Sequence, residues 1–137
     1  MSTSAFTDQA KQDFLNGVHQ PGDTYMIALY DAAATNDKTT TAYSATHEIA
    51  GTGYAAGGIA LSGFTVGLVG DTAYIDFTTD PSWPSASFTA ASALIYNASR
   101  SNKALAVIDF GGSFTATGGT FTVQLPAPGA SAIITIA

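Results

Sequence analysis

The spacing of apolar and polar positions changes once along the chain. In residues 5–16, Phe6, Ala10, Phe14 and Leu15 recur at helical spacing and fall on one face. Ser4 or Thr7 can cap this segment, and Asp8 sits in its first turn, where the helix dipole favours an anion. Gly17 after Asn16 supplies a stop. A helix this short persists only by docking on other structure.

After His19-Gln-Pro-Gly22 the period becomes strand-like. Thr24–Asp31 is rich in aromatic and β-branched residues and bounded by turn formers. Residues 32–46 are polar and Thr-rich, which predicts a long surface loop with a weak edge strand. Glu48–Gly53 and Gly57–Leu61 read as two short strands around a Gly-rich turn. Thr72–Thr78 alternates, with Ala73, Ile75 and Phe77 on one face and Thr72, Tyr74, Asp76 and Thr78 on the other. Asp80-Pro-Ser-Trp-Pro84 reads as a turn. Phe88–Asn97 follows as a strand, with Phe88, Leu94 and Tyr96 facing one way and Ile95 the other. Ala98–Asn102 reads as a loop. Lys103–Phe110 is apolar on both faces, as a central strand is. Gly111-Gly112 and Gly118-Gly119 punctuate the chain. Thr120–Leu125 and Ala132–Ile136 read as strands joined by a turn at Pro126-Ala-Pro-Gly129, the apolar tail pairing inside the fold.

About seven or eight strands at a spacing of roughly 8–12 residues predict a sandwich or barrel. No strand alternates with helices, which argues against a parallel βαβ sheet. The expectation is one mainly β domain over residues 1–137, an antiparallel β-sandwich of jelly-roll type, with one short N-terminal helix in an arm at residues 1–22.

Composition sharpens this. With 46% hydrophobic and 10% charged residues in 137, the chain can bury a single core and is not disordered. The net charge is −6, and the cations Lys11, Lys38, Arg100 and Lys103 are scattered. A phosphate-binding face needs clustered Lys and Arg, so nucleic acid and anionic membrane surfaces are poor partners. The N-terminus lacks the basic region and apolar run of a signal peptide, and no apolar stretch has the length of a transmembrane helix. Without cysteine there is no disulfide scaffold, thiolate zinc site or Cys nucleophile.

Candidate chemistry is sparse. His19 and His47 are the two histidines, and they read as surface or turn residues. His47 and Glu48 are adjacent, so on a strand they point to opposite faces, and no G-x-S-x-G marks a nucleophile. Gly51, Gly53, Gly57 and Gly58 have the spacing of turns rather than of a nucleotide loop. Asp71, Asp76, Asp80 and Asp109 could meet around a hard cation such as calcium, but they form no EF-hand loop and read first as solvated turn aspartates, Asp76 on the outer face of its strand. Asn97-Ala-Ser99 matches a glycosylation sequon by chance. No catalytic residue, cofactor or metal site is expected. Trp83, between Pro81 and Pro84, reads first as an anchor on the core or at an interface, and second as an exposed ring that stacks on a sugar.

One resemblance is carried by blocks from Trp83 onward. Trp83-x-x-Ala-Ser-Phe-Thr-Ala-Ala-x-Ala-Leu-Ile-Tyr-Asn97 is followed by Ala104-x-Ala-Val-Ile-Asp-Phe-Gly-Gly112 and by Thr117-Gly-Gly-Thr-Phe-Thr-Val-Gln-Leu125. With Glu48-x-x-Gly-Thr-Gly-Tyr-Ala55, Leu61 and the opening Phe14-Leu15, this resembles small virion proteins of tailed bacteriophages. The resemblance covers most of the chain, and its blocks are structural rather than catalytic. It implies a capsid-decorating protein, of cement or head-fibre type, or another small virion component.

The residues point to assembly as well. Tyr25, Ile27 and Leu29 oppose Met26, Ala28 and Tyr30, and Ala104, Ala106, Ile108 and Phe110 oppose Leu105 and Val107. A sandwich has one inner face to fill, so the second apolar face must meet the helix, another subunit or a partner. The expected function is a non-enzymatic virion protein that decorates or cements the capsid, built as a homo-oligomer with a trimer favoured. Its partner is the major capsid protein or another virion protein, and its location is the virion, assembled in the host bacterial cytoplasm. The alternative is a tail- or fibre-associated module that binds a host glycan or receptor, with Trp83, Tyr43 and Tyr54 at the site. A small hydrolase or lyase on a β-scaffold lacks the polar constellation it would need.

Overall fold

A computed structural model describes residues 2–125, 132 and 134–136. In chain order the elements are β1 (Ala5–Phe6), α1 (Asp8–Leu15), β2 (Tyr25–Tyr30), β3 (Ile59–Ala60), β4 (Phe64–Val69), β5 (Thr72–Phe77), β6 (Ser82–Asn97), β7 (Lys103–Thr122) and β8 (Ile134–Ile136). The protein is mainly β with antiparallel strand pairing, and the described residues hold one short helix. A five-stranded sheet has the order β1-β7-β6-β2-β3, and a three-stranded sheet has the order β4-β5-β8. The two share one core: Tyr25, Ile27, Leu29, Trp83, Phe88, Ile95 and Leu105 of the larger sheet meet Ile75, Phe77 and Ile134 of the smaller.

Thr7 explains why the helix starts later than its apolar spacing predicts. Its hydroxyl accepts from the Ala10 N–H at 3.1 Å and lies 3.1 Å from the carbonyls of Ala104 and Leu105, so it caps α1 and ties it to β7. The residues before it pair as β1, with Ala5 opposite Val107 and Phe6 opposite Ala106. The expected helical face is corrected accordingly. Phe6 is in a strand, Leu15 is 92% exposed, and the buried helix residues are Ala10 and Asp13.

The β6–β7 hairpin dominates the molecule, and its irregularities correct several expectations. Trp83 lies in a strand opposite Phe121 rather than in a turn. The pairing jumps from Ala90↔Phe114 to Ser92↔Asp109, five positions on β7 against two on β6. Gly111-Gly112 is therefore a bulge, with Gly111 at φ +79°, and not a strand end. Gly118 is a second bulge between the Ala86↔Gly119 and Ser87↔Thr117 pairs. The irregularity at Ala91 also swaps faces along β6. Phe88 and Ala90 share the main core with Ala93 and Ile95, whereas Leu94 and Tyr96 face the other side. Phe88 is thus not on the face of Leu94 and Tyr96.

That other side holds a second cluster of Ala28, Tyr30, Ala34, Leu94, Tyr96, Ala104 and Val107, with Met26 and Tyr43 against it. Ala34 and Tyr43 belong to the loop after β2. The second apolar face of β2, and much of that of β7, is therefore covered by the chain's own loop rather than left for a partner.

The remaining differences are local. Of Glu48–Gly53, only single bridges form, at Glu48 with Tyr30 and Thr52 with Ser87, and Gly57–Leu61 shortens to β3. The edge strand expected in 32–46 reduces to one bridge, Ala42 to Lys103. Strand β4, which the Gly-rich stretch conceals, pairs with β5 through a tight connection between Val69 and Thr72. Asp76 is fully buried, not on an outer face. Pro126–Gly129 lies outside the described residues. Among the described residues no helix is long and apolar enough to cross a membrane.

Candidate functional site

Two networks of polar side chains and one apolar surface stand out among the described residues. The first corrects the reading of His19, whose ring is buried behind α1. Asn97 Oδ1 accepts from the Ser99 N–H, which turns its Nδ2 toward His19 Nδ1 at 3.0 Å and Asp23 Oδ2 at 2.9 Å. An amide can only donate there, so Nδ1 of His19 accepts and the proton sits on Nε2. Nε2 faces Asp13 Oδ2 at 3.7 Å, beyond hydrogen-bond length, and neither atom has another partner among the described residues. Asp13 Oδ1 takes Gln9 Nε2 at 3.0 Å and lies 3.6 Å from Lys103 Nζ. Arg100 grips Asp23 with two bonds, of 2.9 and 3.1 Å.

Burial pushes the His19 pKa down, against the raising fields of Asp13 and Asp23. The Arg100 fork, with the Asn97 and Gln20 donors, holds Asp23 at about 2 against its own desolvation. No hydroxyl contacts the His19 ring in this network. Its geometry fastens α1, the segment before β2 and the β6–β7 turn. Asn97 is fully buried, so its sequon is closed in the folded chain.

The second group gathers two of the residues singled out as a glycan site. Glu48, the one glutamate, accepts from Tyr43 Oη at 2.6 Å, Tyr54 Oη at 2.5 Å and the Gly57 N–H at 2.7 Å. Tyr54 Oη also accepts from the Leu29 N–H at 3.0 Å. Tyr96 donates to the Gly57 carbonyl at 2.7 Å, and its ring stacks on Tyr43 at 4.8 Å. Desolvation, reinforced by Glu48, raises the Tyr43 pKa to about 12 and that of Tyr54 further, so both stay protonated donors. Trp83 lies behind Tyr54, with ring centroids 6.3 Å apart, and is 1% exposed. It is a core anchor, and its buried ring is not open to a sugar. His47 sits on the exposed loop, its Nδ1 3.6 Å from Asp31 Oδ1.

The aspartates do not converge. Asp76 Oδ1 accepts from the Phe77 N–H at 2.8 Å, Oδ2 has no partner among the described residues, and burial raises its pKa. Asp80 accepts from the Leu125 N–H and Asp109 from the Gly111 N–H. Among the described residues no three acidic or histidine side chains gather as metal ligands would.

The third feature is a surface. The far half of the β6–β7 hairpin carries a groove of about 470 Å³ lined by Ile108, Phe110, Phe114, Phe121 and Val123, with Thr122 and Gln124 at its side. Phe110 contacts Phe114 and Phe121, with centroids 6.4 and 6.3 Å apart, yet Phe114 remains 53% exposed. No charged residue occurs in 81–99 or after Asp109. From Asp109 to Thr122, β7 pairs with β6 on one side and with no described strand on the other. Strand β4 is likewise an edge, with Val66 61% and Leu68 69% exposed. Sequence reasoning missed both, because the glycines around them read as turns. The detectable signal was three phenylalanines in an uncharged stretch.

The chain matches no protein-family model, no curated protein and no solved structure.

Proposed function

We propose that this protein is a non-enzymatic structural subunit of a tailed-bacteriophage virion, decorating or cementing the capsid surface as a cyclic oligomer, with its two sheets read as a jelly-roll-type sandwich. The observation that carries the reading is the uncharged far half of the β6–β7 hairpin, with an open strand edge and an aromatic groove. Soluble monomers seldom leave a contiguous apolar surface of this kind uncovered, and an open edge invites another strand. The polar groups, by contrast, are spent internally: Glu48 on two tyrosines and a backbone N–H, and Asn97 and Asp23 on each other, His19 and Arg100. The phage assignment itself rests on the sequence blocks from Trp83 to Leu125.

The glycan-binding alternative draws no support from the geometry. Trp83 is buried, and the hydroxyls of Tyr43 and Tyr54 are committed to Glu48. The test is co-sedimentation of the purified protein with capsids that lack it, together with micrographs of virions carrying it labelled. Saturable binding to the shell and label on the head are expected. A protein that stays monomeric and ignores capsids, or a label confined to the tail, overturns the decoration role.

A further inference from the structure

We infer that the copies join head to tail, the β4 edge of one chain adding to the open β7 edge of the next and seating Val66 and Leu68 against the Phe110–Phe114–Phe121 groove. The inference rests on the self-association in the reading above and names the surface that performs it.

Two complementary features occur on one chain. The groove is concave and apolar, and its strand, β7, has no described strand on its outer side beyond Gly111. Strand β4 carries the exposed apolar side chains Val66 and Leu68, and its outer side also lacks a described partner. Edge strands with free N–H and C=O groups template the addition of a further strand. Side chains of neighbouring strands that share a face then lie against each other. Phe64, Val66 and Leu68 alternate onto one side of β4. Phe64, at one end of that side, stacks on Tyr25 of the core at 4.9 Å, while Val66 and Leu68 on the same side extend beyond the core and stay exposed. The groove phenylalanines, too, are on the core side of β7, since Phe110 and Phe121 pack against the main core. Pairing the two edges in the strand direction that aligns these two faces places Val66 and Leu68 beside the groove.

Charge selects the occupant. The chain carries −6, and two copies repel wherever their charges meet. Residues 49–70, which include β4, and all residues after Asp109, which include most of the groove, contain no charge. A contact between these surfaces desolvates no ion, and it does not suit a strongly charged partner. Because the two surfaces differ, the contact is heterologous and closes into a ring when the rotation between copies allows it.

The experiment uses the full chain in sedimentation velocity. Leu68→Lys and Phe114→Lys each place a charge at a position more than half exposed in the monomer, so folding survives, which circular dichroism and melting verify. Each variant alone should be monomeric, with association weakened at least ~30-fold, as for a hot-spot loss. Mixed together, they should form a dimer and nothing larger, because one intact β4 and one intact groove remain. The chain has no cysteine, so in a Leu68→Cys/Phe114→Cys chain any disulfide joins the introduced pair, and non-reducing electrophoresis should show it linking copies into multimers. A wild type monomeric at high concentration overturns the inference. So do single variants that still assemble, which would leave self-association standing through another surface. Monomeric variants whose mixture stays monomeric overturn the head-to-tail geometry. Capsid binding by the wild type is scored separately, so a failure of the virion reading is distinguishable from a failure of this contact.

Discussion

Asn97 donates its side-chain amide to His19 Nδ1 at 3.0 Å across 78 positions of sequence, and so holds a buried imidazole neutral. The contact joins the end of the N-terminal arm to the end of β6. Protonating Nδ1 would set two donors against each other, and burial adds to that cost.

The stability of the protein should therefore fall as pH drops through the acidic side of neutrality. In the unfolded chain His19 takes a proton near its ordinary 6.5, whereas in the fold it titrates lower. The unfolded state then binds more protons, so stability is present above 6.5 and is lost as pH falls toward the folded value. Urea midpoints at pH 7.5 and 5.5 measure this. His19→Gln should flatten the dependence, and an unchanged slope would remove His19 as its source.

Two aspartates should act with opposite sign at lower pH. Asp23, held at about 2, contributes stability that is present above 3.8 and lost as pH falls toward 2. Asp76, with its pKa raised by burial, favours the fold below 3.8, and that contribution is lost as pH rises through its folded value. Asp76→Asn should thus stabilise the protein at pH 7 relative to its effect at pH 3, while Asp23→Asn should destabilise at pH 7. Melting curves of both variants at the two pH values test the signs, and equal shifts at both pH values would refute them.

Leu94→Ala should cost about 2–5 kcal/mol, because the side chain is fully buried under the loop after β2. Equilibrium denaturation reads the cost directly. A loss below about 0.5 kcal/mol would mean that the loop does not pack there.

Gly58→Ala should destabilise the protein by about 1–3 kcal/mol or more. Gly58 has φ +82°, and a Cβ there would stand 1.8 Å from the Ile27 carbonyl oxygen. Only a bare backbone lets the chain approach β2 so closely. Unchanged thermal stability would show that the approach is looser than described.

Tyr54→Phe removes a hydroxyl that serves both Glu48 and the Leu29 N–H. Leaving the partly buried N–H unpaired should cost about 1–3 kcal/mol. Faster amide exchange at Leu29 is the accompanying signature, and unaltered exchange would argue against the bond.

Much of the fold was legible from local pattern. Alternation at Thr72–Thr78, the aromatic run of β2 and the stop at Gly17 each act within a few residues, so the mainly β class and the short helix of the N-terminal arm followed from the sequence. What escaped it depended on distant partners. Ala5–Phe6 left the helix because β7 offered an open edge. Gly111-Gly112 and Gly118 became bulges because β6 runs alongside them, and the irregularity at Ala91 then carried Phe88 to the face opposite Leu94. His19 and Asp76 looked like solvated residues because burial is a property of the packed whole. Tyr43 and Tyr54 read as members of a glycan site, but Glu48 takes both hydroxyls and ties their loops together. Hydrophobic spacing reports which element a segment forms, whereas register, bulges and the pairing of buried polar atoms are settled only when strands far apart in the chain meet.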